Sequence, residues 1–435
     1  MDLCLLKAAP PRRLLLLLLL LAIPENRFSV TDQQKTIKTI ICVFFQKKQK
    51  KKKIKKSFTM IKTISILLLL SFTSHAQHNA PRFELNLDLP PEERWSEIVT
   101  QFNDTIHDSL NSLFENNKEI KELLDVASVV MKARPSAVKT WFGDEQYAEM
   151  QSIARLTNLD LDILAAISTI YDLSASSALS GKACTGIVIQ NDKDEIIHGR
   201  NLDYNFPPQM ENLTAIVDFK SNGTVLFTSV SYIFMTAFNT AMKPGAFSLS
   251  QDERDQGSIF TNMYDLFLNP RRSTFSTMRE VMETAETFED ALKMLSTVAL
   301  PAASYFILGG VSPGQGAVIT RNRDDAEDVW RLGQRSEKGT ESTFYVIETN
   351  YDNWMDTDPK DNRRAPAERF LNSTGPVGFD TNTMMRCMTN TDHDSSVGER
   401  PVYNSGTVYS AVMQAAKPEN LKVFVHGSSY PDKSN

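Results

Sequence analysis

The chain has 435 residues, of which 41% are hydrophobic and 23% are charged. Aromatic and β-branched residues are spread along most of its length, which excludes collagen-like, mucin-like and fully disordered chains. The net charge of −6 conceals an asymmetry, because residues 1–76 contain 15 Lys and Arg against 3 Asp and Glu, whereas residues 77–435 contain 32 against 50. Nucleic-acid binding depends on clustered Lys and Arg, so we expect no nucleic acid partner for this acidic body.

Residues 60–76 have the order of a secretory signal peptide. Met60 is followed by Lys62, by an apolar run at 64–70 and by small residues at Ser74 and Ala76, so cleavage is expected after Ala76. The apolar run is too short to anchor the chain across a bilayer. We interpret residues 1–59 as a gene-model artefact or an extension, and we expect a lysosomal or secreted protein.

Sequons and cysteines agree with a secretory route. Four Asn-x-Ser/Thr sequons predict glycosylation at Asn103, Asn212, Asn222 and Asn372. After residue 76 the chain contains two cysteines, Cys184 and Cys387, so we expect no disulfide framework.

The hydrophobic periodicity divides the chain at Cys184. Apolar residues at spacings of three and four predict helix over 92–133 and 159–179, and no strand pattern is recognised before Cys184. After it, short β-rich runs predict strands at 185–190, 195–199, 214–220, 224–230, 304–308, 317–320, 328–332 and 343–349, with a helical stretch over 276–298. The Asn222-Gly223 pair predicts a tight hairpin. This order favours an α+β fold with antiparallel sheets.

Common catalytic and cofactor signatures are absent from the sequence. There is no G-x-S-x-G, H-E-x-x-H or P-loop motif, no convincing G-x-G-x-x-G, and no papain-like context around a cysteine. The histidines after residue 76 are scattered without metal-ligand spacing: His78, His107, His198, His393 and His426. We therefore expect neither a metal nor an organic cofactor.

Cys184 stands where the helical region meets the first predicted strand. A cysteine in such a place is more often an inert core residue than a nucleophile. Arg200 and Asp203 follow at the end of the next predicted strand, in HGRNLDY. An ordinary salt-bridged turn would also explain that pair.

Longer motifs resemble one family. The segment ACTGIVIQNDKDEIIHGRNLDY (183–204) resembles the nucleophile segment of the N-acylethanolamine-hydrolysing acid amidase and acid ceramidase family. The resemblance starts at PPEERW (90–95), covers nearly all of residues 80–430, and continues in SLSQDERDQG, YFILGG, GAVITRNRD, ETNYDNW and NRRAPAERFLN.

The resemblance implies the four-layer αββα sandwich of N-terminal nucleophile hydrolases, with a helical α chain (residues 77–183) and a catalytic β chain (residues 184–435). It implies that the protein cuts its own peptide bond between Ala183 and Cys184. The site residues that it implies are Cys184, Arg200, Asp203, Glu253, Asn350 and Arg363.

These residue types fit amide hydrolysis without a histidine. A thiol reacts as its thiolate, and the new α-amine of Cys184, with a pKa of about 8, can take the proton. In this interpretation Asp203 holds the amine, Arg200 fixes Asp203 and lowers the pKa of the thiol, and the Asn350 amide donates to the oxyanion. Glu253 and Arg363 are expected either to organise these groups or to form a surface ion pair.

The expected substrate is a lipid amide. The short NFPPQMEN connection after Tyr204 favours fatty acid ethanolamides, with ceramide as the alternative; a bile-acid or penicillin V amide hydrolase and an inactive lipid-binding protein are further alternatives. Expected partners are a transient membrane surface or a lipid-presenting protein. The α and β chains are expected to associate non-covalently, because the cysteines that link them in acid ceramidases are missing. Gly186 replaces a serine common in the family, which is expected to alter the rim of the pocket.

Overall fold

The computed structural model of the protein describes residues 78–175, 183–204, 211–257, 259–355 and 361–426. The expected signal peptide and the segment before it lie outside these residues. The names α chain and β chain are used below for residues 77–183 and 184–435 of the continuous polypeptide. The helices of the α chain are α1 (Ser96–Gln101), α2 (Asn103–Asn116), α3 (Lys118–Ala133), α4 (Pro135–Thr157), α5 (Leu161–Ser168) and α6 (Ile170–Ser174). Those of the β chain are α7 (Ile259–Phe267), α8 (Thr274–Thr284), α9 (Phe288–Thr297), α10 (Arg364–Thr374) and α11 (Thr381–Met388).

The strands form two sheets. In chain order they are β1 (His78–Asn79), β2 (Arg82–Asn86), β3 (Ala183–Gln190), β4 (Ile196–Asp203), β5 (Thr214–Ser221), β6 (Thr224–Tyr232), β7 (Thr240–Lys243), β8 (Phe247–Glu253), β9 (Ser304–Gly309), β10 (Gly316–Arg321), β11 (Ala326–Arg331), β12 (Tyr345–Glu348), β13 (Thr407–Met413) and β14 (Lys422–Val425). A six-stranded sheet has the order β1-β14-β13-β4-β3-β12, and an eight-stranded sheet has the order β11-β10-β9-β8-β7-β6-β5-β2.

The two sheets pack face to face and carry helices on their outer faces. Strands β3 and β4 contact β8 and β9 across the sandwich, α11 packs on β4 and β13, and α8 and α9 pack on the eight-stranded sheet. The neighbouring strands of each sheet are antiparallel except for the pair β2 and β5. This arrangement confirms the expected α+β class and the αββα layers.

The predicted hairpin after β5 is confirmed. Ser221 pairs with Thr224, so Asn222 and Gly223 form a two-residue turn, with φ angles of 50° and 76°. Both turn residues need positive φ, which asparagine and glycine tolerate better than other residues.

The expectation that no strand precedes Cys184 is wrong. Strand β2 pairs in parallel with β5 at the edge of the eight-stranded sheet, and β1 pairs with β14 at the edge of the six-stranded sheet. Strand β1 has two residues and strand β2 has five, so neither is long enough to show a clear alternation of apolar and polar residues. The α chain therefore contributes an edge strand to each sheet of the sandwich.

The helical predictions are correct in type but not in extent. The stretch 92–133 is divided into α1, α2 and α3, and the stretch 276–298 is divided into α8 and α9. Helix α4 was not predicted. It is kinked at Gly143 (φ 75°), and its buried residues include Gln146 and Glu149, so no apolar stripe marks it in the sequence.

A buried ion pair joins the α chain to the β chain. Glu149 on α4 accepts hydrogen bonds from both terminal nitrogens of Arg279 on α8, at 2.5 and 2.7 Å, and both side chains are fully buried. Trp95 Nε1 also donates to Glu149, at 2.9 Å. The α chain has no cysteine, and Cys184 and Cys387 form no disulfide, so these contacts and the edge strands are non-covalent.

Within the residues that the structure describes, no helix combines the length and the apolar character needed to cross a bilayer.

Candidate active site

Cys184 lies near the start of β3, with its side chain between the two sheets. It pairs with Leu202 on β4, and Gly186, two residues along the same face, lies against Ile307 of the opposite sheet. Alternate residues of a strand share a face, so the thiol also points into the sandwich. The Cys184 side chain is 5% exposed. Its neighbours Ala183 and Asp203 are paired across β3 and β4.

Asn350 takes the place of a strand partner where β12 ends. The last pair between β12 and β3 joins Glu348 to Gly186, and two residues later the Asn350 side-chain oxygen accepts the Cys184 backbone N–H at 2.6 Å. Asn350 has φ 69°, a left-handed conformation that asparagine adopts more readily than most residues. Positive φ at a non-glycine residue is often found at functional sites.

The contacts of Asn350 fix the orientation of its amide. Arg363 Nη2 and the Cys184 N–H are donors, so the atom that they contact must be Oδ1. The amide nitrogen, Nδ2, donates to the backbone oxygen of Glu253 at 2.9 Å. Its second N–H is the donor that the expected oxyanion role requires.

Arg363 binds the backbone of Cys184. It stands immediately before α10 and is fully buried. Its Nη1 atom donates to the Cys184 carbonyl oxygen at 2.8 Å and to Asp203 Oδ2 at 3.1 Å, and its Nη2 atom donates to Asn350 Oδ1 at 2.7 Å. Arg363 therefore forms no surface ion pair, and of the two expectations for this residue the organising role agrees with the geometry.

Arg200 is paired with a residue that the sequence analysis missed. It forms an ion pair with Asp252 on β8, and both side chains are fully buried. Asp203, which Arg200 was expected to fix, is instead held by Arg363 and by Asn404 Nδ2 at 2.8 Å. The reason is strand alternation: Arg200 faces the other sheet, whereas Asp203 faces α10. The same alternation along SLSQDERD could have identified Asp252.

Glu253 contributes its backbone to the site. Its carbonyl oxygen accepts from Asn350 Nδ2, and its side chain is buried. The negative charge of Glu253 helps to raise the pKa of Tyr171 and of Tyr204, after the larger effect of burial. The alternative of a surface ion pair is excluded for this buried residue too.

The thiol is held in its protonated form. Burial is the main cause that raises the pKa of Cys184 to about 12; the Arg200 guanidinium opposes this shift, and Asp252 and Asp203 add to it. Burial also raises the pKa of Asp203, and Arg363 opposes that shift. In the continuous chain Cys184 is thus mostly a neutral thiol at physiological pH.

The histidines lie away from this chemistry, in the part of the chain that the structure describes. His198 lies between the hydroxyls of Ser248 and Ser250, and burial lowers its pKa to about 3. His426 contacts Ser410, and burial lowers its pKa to about 4. His107 contacts the Thr157 carbonyl and His393 the Thr391 carbonyl. Among the described residues no group of three or more His, Cys, Asp or Glu could hold a metal ion.

An apolar cavity of about 40 Å³ adjoins the site. Its walls come from both chains, with Leu110, Leu113 and Ile167 from the α chain and Val230 and Phe238 from the β chain. Its lining also includes three tyrosines whose pKa is raised by burial, with a smaller contribution from Cys184: Tyr204, Tyr232 and Tyr409. Tyr409 pairs with Leu202, which is the strand partner of Cys184, so the cavity and Cys184 lie near each other.

Gly186 lies inside the sandwich, and the expectation that it alters the rim of a pocket is wrong. A Cβ atom at this position would lie 2.9 Å from Ile307 Cγ1, on the neighbouring sheet. A serine there would force one of the sheets or the Ile307 side chain to move. The absence of a side chain thus permits close packing of β3 on β9.

A buried carboxyl group near the site makes stability depend on pH. Glu348 on β12 is fully buried, and burial raises its pKa to about 8, with Asp252 and Asp352 adding to the shift and Arg364 opposing it. A glutamate in an unfolded chain has a pKa of about 4.3. Between about pH 4.3 and pH 8, Glu348 is therefore protonated in the folded protein and ionised in the unfolded chain, so the free energy of unfolding falls as pH rises. Below about pH 6.5, His198 and His426 act in the opposite direction, because they are neutral when folded.

We therefore expect the free energy of unfolding to fall between pH 6.5 and pH 8, by at most about 1.4 kcal/mol per pH unit from this group. Glu348→Gln should flatten that slope, because the amide has no proton to lose. Urea unfolding at a series of pH values measures both slopes. An unchanged slope in the variant would contradict the role of Glu348.

The sequons are distributed over exposed and half-buried positions. Asn212, Asn222 and Asn372 are exposed, and Asn222 lies at the tip of the β5–β6 hairpin. Asn103, at the start of α2, is half-buried. The three exposed positions are the more accessible acceptors for a glycan.

Comparison with known proteins places this site in a family. A family model described as linear amide C-N hydrolases, choloylglycine hydrolase family, matches residues 184–384, and so begins at Cys184. A model described as the beta subunit of N-acylethanolamine-hydrolyzing acid amidase matches residues 78–133, within the α chain as named here. The two matches lie on opposite sides of the bond between Ala183 and Cys184.

Whole proteins match over most of the chain. N-acylethanolamine-hydrolyzing acid amidase of Rattus norvegicus is 30% identical over 372 residues, 84% of this chain and 96% of that protein. The enzyme with the same name from Caenorhabditis elegans is 31% identical over 363 residues, 82% of this chain and 96% of that protein. Acid ceramidase of Homo sapiens is 29% identical over 353 residues, 78% of this chain and 84% of that protein. The chain therefore belongs to the family of N-acylethanolamine-hydrolyzing acid amidases and acid ceramidases, and it is a hydrolase of linear amide C–N bonds.

Proposed function

We propose that this protein hydrolyses fatty acid ethanolamides to a fatty acid and ethanolamine, with Cys184 as an N-terminal nucleophile. One observation carries the proposal: the buried polar groups bind the backbone of Cys184 instead of placing a histidine beside its sulfur. Asn350 accepts the Cys184 N–H, and Arg363 donates to the Cys184 carbonyl oxygen. These contacts hold the backbone of Cys184 in place, and in the proposed mechanism the amino group of Cys184 takes the proton from its thiol.

The nucleophile is generated by self-cleavage. The Cys184 sulfur attacks the Ala183 carbonyl carbon, the peptide C–N bond breaks, and the thiol proton passes to the Cys184 nitrogen. Water then hydrolyses the resulting thioester, which leaves a carboxylate on Ala183, a thiol on Cys184 and a new α-amine. Arg200 supports the first step because its positive charge lowers the pKa of the buried thiol.

Turnover repeats the same chemistry on a substrate amide. The α-amine takes the thiol proton, the thiolate attacks the amide carbon, and the protonated amine passes its proton to the departing ethanolamine. The second N–H of Asn350 Nδ2 stabilises the oxyanion, a contribution typically worth about 3–4 kcal/mol of barrier. Water hydrolyses the acyl-enzyme thioester and releases the fatty acid. No metal or organic cofactor is required by these steps.

The apolar cavity supports an acyl substrate. Tyr409 in its lining pairs with Leu202, the strand partner of Cys184, and the remaining walls are mainly aliphatic and aromatic. At about 40 Å³ it is far smaller than the 300–1,000 Å³ of a typical ligand pocket, so it must widen to admit an acyl chain. Because its walls belong to both chains, cleavage between them permits that widening. A membrane surface or a lipid-presenting protein would deliver such a substrate.

The choice between ethanolamide and ceramide rests on the relatives. Proteins named N-acylethanolamine-hydrolyzing acid amidase match 96% of their own length at 30–31% identity, and human acid ceramidase matches 84% at 29%. The short connection after Tyr204 falls largely on residues 205–210, outside the described residues. Ceramide remains the second candidate, because both kinds of relative align across the nucleophile segment.

Parallel turnover assays test the substrate. We expect the processed protein to hydrolyse palmitoylethanolamide with a kcat/KM at least about 10-fold above that for ceramide, a difference of about 1.4 kcal/mol in transition-state binding. Both substrates should be presented in the same detergent micelles, so that presentation does not decide the ratio. A higher kcat/KM for ceramide would contradict the proposed substrate without contradicting the nucleophile.

The secretory route remains part of the proposal. The predicted signal peptide at 60–76 and the exposed sequons support a glycosylated lysosomal or secreted protein. After cleavage, strands β1 and β2 and the Glu149–Arg279 ion pair would keep the α chain associated with the β chain without a covalent link.

A further inference from the structure

Asp252 and Arg200 form a buried ion pair beside the nucleophile. Asp252 is the penultimate residue of β8, and Arg200 reaches it across the space between the sheets. Arg200 Nη2 also donates to the Gln251 carbonyl oxygen at 2.8 Å, so the guanidinium is held at two points of one strand. Both side chains are completely buried, where an arginine without a carboxylate partner would be strongly disfavoured.

The register between β4 and β8 explains why these residues meet. His198 lies two residues before Arg200 on the same face of β4, and it contacts Ser248 and Ser250 on β8. Asp252 is the next residue on that face of β8. The strands thus carry a row of polar contacts across the sandwich, and the row ends at the guanidinium next to Cys184.

The guanidinium acts more strongly on the sulfur than the carboxylate does. The Arg200 charge lowers the pKa of Cys184, and this effect is larger than the opposite effect of Asp252. Arg200 pairs with Gly186 and Cys184 pairs with Leu202 across β3 and β4, so both side chains project from the same face of neighbouring strands. The guanidinium therefore lies beside the sulfur, and Asp252 contacts it from the opposite sheet.

We infer that Asp252 is a positioning residue, which holds the Arg200 guanidinium against the Cys184 sulfur during self-cleavage and turnover. This inference rests on the proposed role of Cys184 as the nucleophile. Asp252 touches neither a substrate nor the sulfur through a hydrogen bond, so it acts through Arg200. The sequence analysis chose Glu253, the next residue in the same motif, whose backbone contacts Asn350 instead.

The two possible roles of Asp252 predict opposite shifts in the thiol pKa. If Asp252 acted through its charge alone, its removal would lower the pKa of Cys184, because a nearby negative charge would be lost. If it positions Arg200, its removal releases the guanidinium and the pKa rises, as in Arg200→Gln. The charged and ionisable groups that interact electrostatically with the thiol are Arg200, Asp252, Asp203, Arg363, Tyr204, Tyr232 and Tyr409, together with the α-amine of Cys184 itself in the processed enzyme. Burial raises the pKa of Asp252 to about 6, so the assay is run from pH 7 upward, where Asp252 is a carboxylate.

The test is the pH dependence of Cys184 alkylation in processed enzyme, followed with iodoacetamide and site-resolved mass spectrometry to separate it from Cys387. We expect Asp252→Ala to raise the alkylation midpoint by about one pH unit, in the same direction as Arg200→Gln. The double variant should show no further rise in the alkylation midpoint, because either single substitution already removes the ion pair between Arg200 and Asp252. Asp218→Asn, which removes a buried carboxylate on β5 that pairs with Arg82 on β2, should leave the midpoint unchanged. A midpoint that falls or stays constant in Asp252→Ala overturns the inference.

Self-cleavage of purified precursors gives a second readout that needs no processed enzyme. We expect Asp252→Ala and Arg200→Gln to slow self-cleavage by a similar factor, about 10- to 100-fold. Asp252→Glu, which keeps the charge and the acceptor, should be faster than Asp252→Ala. Wild-type self-cleavage in Asp252→Ala, or no improvement in Asp252→Glu, overturns the inference. If Cys184→Ala abolishes cleavage but the Asp252 variants do not change its rate as expected, the positioning role of Asp252 is refuted and the nucleophilic role of Cys184 is not.

Discussion

Cys184→Ala is expected to leave the chain uncut between Ala183 and Cys184 and to lower amide turnover by about 1,000-fold or more. The substitution removes the sulfur that attacks both the Ala183 carbonyl and the substrate amide. It removes little buried volume, so the fold should survive. Processing can be followed by gel electrophoresis of the purified protein, and turnover by release of fatty acid.

Cys387→Ala is the matched control for this experiment. Cys387 is also buried and forms no disulfide, but it lies on α11 in a cluster with Met384 and Leu371. Burial raises its pKa to about 12, and no charged group opposes that shift. The control variant should be cut and active. Turnover by a Cys184→Ala protein, whether cut or uncut, would overturn the proposed mechanism.

Arg363→Lys is expected to give a folded protein that loses about 100-fold or more in turnover. The Arg363 guanidinium contacts six acceptor residues at once: Cys184, Thr185, Asp203, Thr349, Asn350 and Asp361. A lysine keeps the charge but has one nitrogen, which cannot reproduce this fork. Arg363→Met should in addition cost about 3–5 kcal/mol of stability, because Asp203 would be left buried without its cation.

Arg369→Lys, on the same helix α10, separates this effect from a general loss of an arginine. Arg369 is 54% exposed at its side chain and pairs with Glu399. Glu399 is buried, but a lysine at position 369 keeps the positive charge beside it at a position open to solvent, so the control should retain turnover and most of its stability. Comparable losses in the Arg363 and Arg369 variants would show that Arg363 has no special place in the site.

The sequence predicted the parts of this fold that have a strong local signal. The Asn222-Gly223 turn and the alternating strands on either side of it need no distant partner to be recognised. Strand β2 and helix α4 escaped prediction for a physical reason, since β2 is completed by pairing with β5 and α4 buries Glu149 against Arg279. Both depend on contacts between segments more than 100 residues apart, which local periodicity does not contain.

The candidate site shows the same limit. Cys184, Arg200 and Asp203 were found because they stand in one long motif, and the structure brings Asn350 and Arg363 to the same place. The partner of each charge could not be read from that motif. Arg200 pairs with Asp252, and Asp203 pairs with Arg363. The partners differ because Arg200 and Asp203 are three residues apart on β4 and therefore face opposite sides of the sheet. Asp252 was overlooked although it is the residue before Glu253. Adjacent residues of β8 point to opposite sides of the sheet, and it is the Asp252 side chain that points toward Arg200 and the thiol.

The most direct measurement is the intact mass and N-terminal sequence of the large chain in active, purified protein. The account predicts a polypeptide that begins with the cysteine of CTGIVIQ and a separate smaller chain that ends at Ala183. Active protein whose backbone is continuous through residues 183 and 184 would contradict it.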